Sequence, residues 1–297
     1  MMHPIRFAFG TLLALAGPLA AQAPSTDIFL APLRRMGDSI VVGAARNVTN
    51  RAGYDNQPSF LPNSRGILYT VIGSDAQADI WRYDIAERRT SRVTTTPESE
   101  YSAVVMPGGT RLSVIRVERD STQRLWSFAL DGGDPQILLS ALKPVGYHAW
   151  LGPATLATFV LGAPATLHVI ESDERHDTIR ARDVGRAVHR IPGKPSFSYT
   201  QRDSAKALWI LTQPIIGETE TTIVRAPADN EYHAWTPDGV LLSASEGMLV
   251  RWNRAIDASS GWVPVAALSK AGVRNISRLA VSPDGKWLAF VAEPVAP

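Results

Sequence analysis

Short segments in which apolar and polar residues alternate recur along most of the chain, and two stretches show the pattern most clearly. In residues 281–291, two apolar runs flank Pro283-Asp284-Gly285. Proline presets φ, aspartate can bond its own backbone and glycine relieves the chain reversal, so this stretch predicts a tight β-hairpin. A near copy occupies residues 234–244. The pattern therefore indicates a repeat built from β-hairpins.

The repeat has the length of a propeller blade. Aligning the hairpins places six residues in one column, 38 to 47 positions apart: Phe60, Val105, Trp150, Phe197, Trp235 and Val281. Such a period is typical of propeller blades when the segments are short, β-branched or aromatic, and bounded by turn residues. Residues 54–94 contain four such segments, enough for one four-stranded blade. After residue 23 no long run has a helical period, so we expect an all-β fold with very little helix.

The two ends of the chain supply complementary halves of one blade. The last repeat stops after its second strand, near residue 292, whereas residues 27–33 and 40–48 have the pattern of a third and a fourth strand. Joining these halves closes the ring and removes exposed sheet edges. We therefore predict one six-bladed domain over residues 26–293. The predicted blades are 276–293 plus 26–50, 54–96, 100–141, 146–190, 194–228 and 231–269. The short blade at 194–228 is expected to have three strands or an irregular fourth.

Residues 1–23 differ in kind from the rest. Arg6 precedes an uncharged apolar run over residues 7–20, and Ala21-Gln22-Ala23 follows. This order is that of a secretory signal peptide, and the apolar run is short for a membrane span. We predict cleavage of residues 1–23, a periplasmic or secreted location, and no membrane span in the mature chain. An uncleaved N-terminal anchor is the alternative.

Charge and composition narrow the range of functions. The 297 residues carry 30 Lys and Arg against 28 Asp and Glu, a formal charge of +2 with no sustained basic run. Nucleic acid is therefore not an expected partner. The chain has no cysteine, which removes thiolate catalysis and Cys-ligated zinc. The serine-hydrolase, zinc-protease and nucleotide-loop motifs are absent as well. We expect no catalytic residue and no cofactor, with a divalent metal left open.

The recurring hairpin resembles the repeat of a known family. Trp235-Thr236-Pro237-Asp238-Gly239, followed by an apolar strand, resembles the WD-like repeat of the TolB-type β-propellers. Asp79-Ile80-Trp81, with Asp84 three residues later, is similar to the third strand of that repeat. The resemblance covers residues 26–293 and implies a six-bladed propeller and an exported location more than a reaction. TolB has an α/β domain before its propeller, and we expect none here.

One tetrapeptide recurs at a position suited to ligand binding. Tyr147-His148-Ala149-Trp150 and Tyr232-His233-Ala234-Trp235 both lie where an innermost strand begins beside the central channel. Asp55 and Asn56 begin the corresponding strand of a third blade. We predict ligand-binding residues at this channel mouth: Tyr147, His148, Tyr232, His233, Asp55 and Asn56. His148, His233 and Asp55 lie on alternate blades and are candidate ligands for a divalent metal or an anionic group. The alternative is that each histidine bonds a neighbouring group at a loop end.

These features favour an exported, non-catalytic binding or scaffold protein that holds a protein or peptide partner on one rim of the propeller. The alternative is a small-molecule enzyme or ligand-binding protein with a metal or anion site at the channel mouth. A subunit acting beside a separately encoded catalytic partner is a third reading.

Overall fold

Six antiparallel sheets form the blades of a closed ring in the computed structural model, which describes residues 25–295. Each sheet packs against the next along the chain, and the last packs against the first. The predicted all-β, six-bladed propeller is confirmed. We number the blades from 1 to 6, with the blade that joins both chain ends as blade 1.

Each of blades 2 to 6 is made of four consecutive strands. The chain begins with β1 (Asp27–Met36), β2 (Ser39–Val42) and β3 (Arg46–Asn47). Blade 2 contains β4 to β7 (Tyr54–Phe60, Gly66–Ile72, Ala78–Asp84, Arg89–Arg92), and blade 3 contains β8 to β11 (Ser99–Val105, Arg111–Val117, Gln123–Ala129, Gln136–Ile137). Blade 4 contains β12 to β15 (Val145–Trp150, Thr155–Val160, Thr166–Glu171, Asp177–Arg182), and blade 5 contains β16 to β19 (Val184–Arg190, Ser196–Arg202, Leu208–Pro214, Thr221–Arg225). Blade 6 contains β20 to β23 (His233–Trp235, Leu241–Ser245, Met248–Trp252, Val263–Ala267), and the chain ends with β24 (Val273–Arg274), β25 (Leu279–Val281) and β26 (Trp287–Pro294).

Blade 1 is the predicted composite of the two chain ends. Strand β25 is innermost and pairs with β26, and β26 pairs with β1 from Asp27 opposite Ala292 to Pro32 opposite Trp287. The outer position is divided between β2 and β3, which both pair with β1. Hydrogen bonds between the first and last strands therefore close the ring. The strands from the two chain ends pair with each other, so neither β1 nor β26 has an unpaired edge at this contact.

The period-two alternation of the strands explains the core. Successive side chains of a strand point to opposite faces, and in a ring of blades each face meets a different neighbour. In β1, Ile28 and Leu30 pack against blade 2, whereas Phe29 and Leu33 pack against blade 6. The described residues form six such apolar clusters, one at each junction between blades. Full burial of one such side chain contributes about 1.5–3 kcal/mol, so the junctions supply most of the stabilisation.

The Pro-Asp-Gly turns end the innermost strands for a local chemical reason. In blade 6, the Thr236 hydroxyl accepts a hydrogen bond from the Val240 amide at 2.9 Å and donates to Asp238 at 2.5 Å. Gly239 then adopts φ of 82°, which favours glycine. In blade 1, Ser282 takes the role of the threonine, accepting from the Trp287 amide at 2.9 Å.

The predicted boundary between the blades at 146–190 and 194–228 is wrong. Residues Val184–Arg190 pair with β17, so they form the innermost strand of blade 5, and blade 4 ends at Arg182. Pro192-Gly193 makes the inner turn, in the place of Pro-Asp-Gly elsewhere. The column residue of this blade is therefore Arg190, while Phe197 lies on the second strand in the core between blades 4 and 5. Blade 5 has a fourth strand, Thr221–Arg225, and its pairing with β18 shifts register between Ile210 and Leu211, as the predicted irregular fourth strand requires.

Helical structure in the described part is limited to two short 3-10 turns, Pro227–Asp229 and Leu268–Ala271. Among residues 25–295 we find no helix with the length and apolar character needed to cross a membrane. The predicted signal peptide at 1–23 lies outside the described residues.

Candidate functional site

The six innermost strands all begin at one end of a central channel, and we call this end the mouth. Tyr147, Arg186, Tyr232 and Arg278 line it, and Tyr54 and Tyr101 lie beside them. Below the mouth, residues from all six innermost strands line a cavity of about 400 Å³. The candidate residues Tyr147 and Tyr232 are both part of this lining, and both side chains are half-buried.

Strand alternation separates the residues of each Tyr-His-Ala-Trp tetrapeptide. Tyr147 and Ala149 keep partial exposure to the channel, whereas His148 is buried against the preceding blade. His233, between Tyr232 and Ala234, is buried in the same way, with 1 % of its surface exposed. The tyrosines are therefore the members of the tetrapeptides that a ligand in the mouth could contact.

Irregular backbone at the mouth directs these side chains. Four innermost strands shift register there, between Asn56 and Ser59 in blade 2 and between Tyr101 and Val104 in blade 3, and likewise in blades 4 and 5. Such bulges bend a strand and reorient a side chain. In blade 4 the residue at the shift is Gly146, where a Cβ atom would lie 2.9 Å from the Phe159 ring.

Arg278 spans the mouth. Arg278 directly precedes β25, the innermost strand of blade 1. Its Nη2 donates a hydrogen bond of 2.7 Å to the hydroxyl of Tyr147, which lies on blade 4 at the opposite side of the ring. Its guanidinium carbon lies 4.7 Å from the centroid of the Tyr147 ring and 4.3 Å from that of Tyr232. A guanidinium group held against two aromatic faces is stabilised by cation–π attraction and fixed in orientation.

A second arginine of the mouth has an acidic partner. Arg186 Nη1 lies 2.8 Å from Glu231 Oε1, and the Arg186 amide donates to Glu231 Oε2 at 3.0 Å. The neighbouring Gly185 makes room for this contact, since a Cβ atom there would lie 2.8 Å from the Glu231 carboxylate. The charge of Arg186 is thus balanced within the protein.

Tyr54, Tyr101 and Tyr232 stay protonated. Burial raises the pKa of Tyr54, and the positive charge of Arg278 only partly opposes that rise. Burial likewise raises the pKa of Tyr232 and of Tyr101. Their hydroxyl groups can therefore donate hydrogen bonds across the whole physiological pH range.

The two histidines join blades. His148 Nε2 lies 2.7 Å from Ser113 Oγ, on the second strand of blade 3, and the Trp150 indole donates to the same oxygen at 2.9 Å. Ser198 of blade 5 bonds His233 at 2.8 Å and Trp235 at 2.8 Å in the same arrangement. Burial lowers the pKa of His148 to about 4 and the pKa of His233 well below its usual value, so both rings are neutral.

The three candidate metal ligands do not come together. Each histidine bonds a serine in a different junction, and the Asp55 carboxylate bonds Arg51 at 2.8 Å in the junction between blades 1 and 2. Across residues 25–295 no group of three His, Asp or Glu side chains is placed to hold a metal ion. Burial raises the pKa of Asp55 to about 6, against the opposing charge of Arg51.

Asn56 is buried as well, and its side-chain oxygen accepts a hydrogen bond from the Gln57 amide at 2.8 Å. Asp55 and Asn56 therefore stabilise the start of the blade 2 inner strand, and a role in ligand binding stays a prediction for both.

Sequence reasoning missed three residues that shape the channel. Arg278 and Arg186 form much of the mouth, and His189 lines the channel, with its ring in an edge-to-face arrangement with the His233 ring and the two ring centroids 4.9 Å apart. A correct boundary for blade 5 would have placed Arg186 and His189 on an innermost strand.

Comparison with known proteins identifies the fold. No family profile matches the chain. A protein of Agrobacterium tumefaciens assigned as TolB superposes with a TM-score of 0.70 at 14 % identity, over 91 % of this chain and 99 % of that one. A chain of a nidogen–laminin complex gives a TM-score of 0.63 at 10 % identity, over 91 % and 100 %. A gluconolactonase of Xanthomonas campestris also gives 0.63 at 10 % identity, over 93 % and 99 %.

These similar structures include a TolB, a chain of a protein–protein complex and an enzyme, so the shared fold does not decide among functions. At these levels of identity the likeness concerns architecture alone. The chain has the six-bladed β-propeller fold found in TolB.

Proposed function

We propose that this protein is an exported binding or scaffold protein, and that the mouth of its channel holds a segment of a protein or peptide partner. The observation that carries the proposal is the composition of the mouth. Two half-buried tyrosines and two arginines line one opening, and two further half-buried tyrosines, Tyr54 and Tyr101, lie beside them. Tyrosine and arginine are enriched at the energetic centres of protein interfaces, because they combine large contact area with directional hydrogen bonds.

The geometry adds preorganisation to this composition. Stacking between Tyr147 and Tyr232 holds Arg278, and the pair with Glu231 holds Arg186. A partner would therefore meet side chains that lose little conformational freedom on binding. The likeness to TolB and to a chain of the nidogen–laminin complex supports the same class of function.

Site-specific photo-crosslinking tests this proposal. A photoreactive phenylalanine analogue at Tyr101 places the probe at the mouth, and the same analogue at exposed Lys194 places it in the inner turn of blade 5, at the opposite end of the channel. We expect the Tyr101 probe to capture the same partner in repeated experiments in cells, and the Lys194 probe not to capture it. Capture from Lys194 alone, or no capture from either position, would contradict the proposal.

A second candidate function is the binding of a small molecule inside the channel. The cavity of about 400 Å³ lies within the size range of small-molecule sites, roughly 300–1,000 Å³. The similar fold of a gluconolactonase shows that this architecture can hold an enzyme. Soaking the protein with a library of small metabolites and measuring thermal shifts would test this candidate. Stabilisation that persists when Tyr101 is changed but disappears when His189 is changed to Leu would favour it.

A further inference from the structure

Arg278 carries a positive charge that the described protein does not balance. Among the side chains that the structure describes, no carboxylate forms an ion pair with it, and Glu231, two residues before the innermost strand of blade 6, binds Arg186 instead. Arginine cannot be deprotonated in proteins, so this charge is present at every relevant pH. The mouth of the channel therefore has an excess of one positive charge, on a side chain that is already fixed in place.

Most of the hydrogen-bonding capacity of Arg278 is also unused. A guanidinium group has five N–H donors, and one contact, from Nη2 to the Tyr147 hydroxyl, is formed within the described residues. The guanidinium carbon lies over both tyrosine rings. The N–H groups that make no contact within the described residues remain for a ligand, and a parallel pair of them at the edge of the group matches the two oxygen atoms of a carboxylate.

We propose that the mouth is a carboxylate-binding site, in which the edge of Arg278 binds one carboxylate group and the surrounding tyrosine hydroxyls donate further hydrogen bonds to it. The inference rests on the proposed function, because it names the chemical group through which a partner segment would enter the mouth. The carboxylate belongs to an acidic side chain or the C-terminus of a peptide, or to a small organic acid that occupies the same position.

The charge of the mouth favours a carboxylate over a phosphate. One uncompensated positive charge matches a monoanion, whereas a phosphate dianion would leave a net negative charge beside the aromatic rings. The second arginine, Arg186, cannot supply the missing charge without giving up the contact of its side chain with Glu231. The planar fork of one arginine between two aromatic faces is thus suited to a single planar anion.

Binding of defined probes, followed by ¹⁵N NMR of the arginine Nε–H signals and by calorimetry, tests the proposal. The probes are acetate, glutarate and inorganic phosphate, together with two blocked peptides, acetyl-Ala-Glu-Ala-amide and its Gln analogue. A third peptide, acetyl-Ala-Ala-Ala, is used with a free or an amidated C-terminus. We expect the carboxylate probes to shift the Arg278 signal, and the Gln and amidated peptides to bind at least about tenfold more weakly, as the loss of a charged hydrogen bond predicts.

Two variants of Arg278 and one control assign the site. Arg278→Gln removes the charge and the fork, and we expect carboxylate affinity to fall by about tenfold to a hundredfold. Arg278→Lys keeps the charge without the fork, and an intermediate loss is expected. Arg274→Gln makes the same charge change on β24, where Arg274 pairs with Glu293 outside the channel, and should change affinity less than about twofold. Circular dichroism and thermal unfolding verify that each variant folds.

The outcomes separate this inference from the proposed function. Carboxylate affinity in Arg278→Gln equal to that of the natural protein, equal loss in Arg274→Gln, or equal binding of the amide probes would overturn the carboxylate site even if crosslinking from Tyr101 captures a partner. If the peptide carboxylates bind at least about tenfold more tightly than acetate and glutarate, the site is supported with a partner segment as its source. If the free acids bind as tightly as the peptides and crosslinking captures nothing, the carboxylate site stands and the proposed function does not.

Discussion

The junctions between blades use two opposite chemistries. Between blades 3 and 4, and between blades 5 and 6, a neutral histidine and a tryptophan share one buried serine hydroxyl, and we call these the imidazole junctions. On the other side of the ring are the carboxylate junctions. Asp55 binds Arg51 between blades 1 and 2, and Glu100 lies 3.3 Å from Arg116 beside the contact of blades 2 and 3. One architecture thus buries both uncharged and charged polar groups near the junctions between its blades.

The difference concerns the cost of burial. A buried carboxylate is tolerated because a guanidinium group compensates it, so it depends on its partner. The histidine, tryptophan and serine of the imidazole junctions carry no charge, and the serine oxygen is bonded within the protein. Burial raises the pKa of Glu100 to about 7, against hydrogen bonds from Thr96 and Thr94 and the charge of Arg116, while it lowers the pKa of His148 to about 4. The two kinds of junction should therefore respond in opposite directions to pH.

The largest effect is expected from Arg116→Leu. Arg116 is 5 % exposed and also contacts Glu98 and the Trp126 ring, 4.6 Å from its centroid. Its removal leaves Glu100 buried without compensation, and we expect the free energy of unfolding to fall by about 3–5 kcal/mol at pH 8. Urea unfolding measures the loss, which should shrink at pH 5 because Glu100 can then take up a proton.

Arg111→Leu is the matched control. It removes an arginine from the same strand. The partner of Arg111 is Asp134, 2.7 Å away and largely exposed, and such exposed pairs contribute about 0–1 kcal/mol to the free energy of unfolding. Similar losses in the two variants, or a loss in Arg116→Leu that does not depend on pH, would show that the carboxylate junction does not depend on charge compensation.

The pH dependence of stability should tilt in opposite directions in two variants. Between the unfolded pKa of about 6.5 and the folded pKa of about 4 for His148, the unfolded chain binds more protons, so acidification destabilises the protein. Between about 4.5 and about 7 for Glu100, the folded chain binds more protons, so acidification stabilises it. When the pH falls from 7.5 to 5, His148 lowers the free energy of unfolding by about 2 kcal/mol, and His148→Gln should abolish this decrease. Over the same range Glu100 raises the free energy of unfolding by about 2 kcal/mol, and Glu100→Gln should abolish this increase.

Urea unfolding at a series of pH values provides the measurement, with His176→Gln as the control. His176 is largely exposed and pairs with Glu171 at 2.8 Å in a loop, so its removal should leave the curve almost unchanged. If both junction variants tilt the curve in the same direction, the assignment of the two chemistries is wrong.

The sequence predicts the ring more completely than the contacts across it. Alternation and turn residues are local signals, and they suffice for the six blades and for the composite blade. Tyr147 and Tyr232 are found because their tetrapeptide recurs. Arg278 gives no such signal, because its partner Tyr147 lies 131 positions away and meets it only when the ring closes.

The serines of the imidazole junctions show a second limit. Ser113 and Ser198 lie on second strands among apolar neighbours, where a lone serine is not distinguished in the sequence.

Blade 5 shows a third limit of prediction from the sequence. The inner turn of blade 5 lacks the aspartate of Pro-Asp-Gly, so the turn is not recognised in the sequence. An alignment by residue type then places the aromatic Phe197 in the column where the structure has Arg190. Strand pairing across the turn, from Val188 opposite Tyr199, decides the register, and sequence pattern alone does not contain it.

A smaller effect is expected from the serine hydroxyls. Ser113→Ala and Ser198→Ala each leave an indole N–H and an imidazole nitrogen without a partner, which should cost about 1–3 kcal/mol in urea unfolding. Ser91→Ala, on an exposed strand edge, is the control and should change stability by less than about 0.5 kcal/mol. The pair Ser113→Ala and His148→Gln should be non-additive, whereas Ser113→Ala and Ser198→Ala should add, since the two sites share no contact.

The smallest effect is expected where the ring closes, and it tests whether this junction belongs to either class. Between blades 6 and 1 the polar contact is an exposed pair, Arg35 with Asp238 at 3.2 Å, over a buried apolar cluster that includes Leu242 and Phe290. Because exposed pairs contribute little, Arg35→Ala should cost less than about 1 kcal/mol at any pH between 5 and 8, and added salt should reduce that small cost further. Urea unfolding at low and high salt measures it, with Arg34→Ala as the neighbouring control. A loss well above about 1 kcal/mol at low salt, largely removed by added salt, would mean that charge also holds the closing junction.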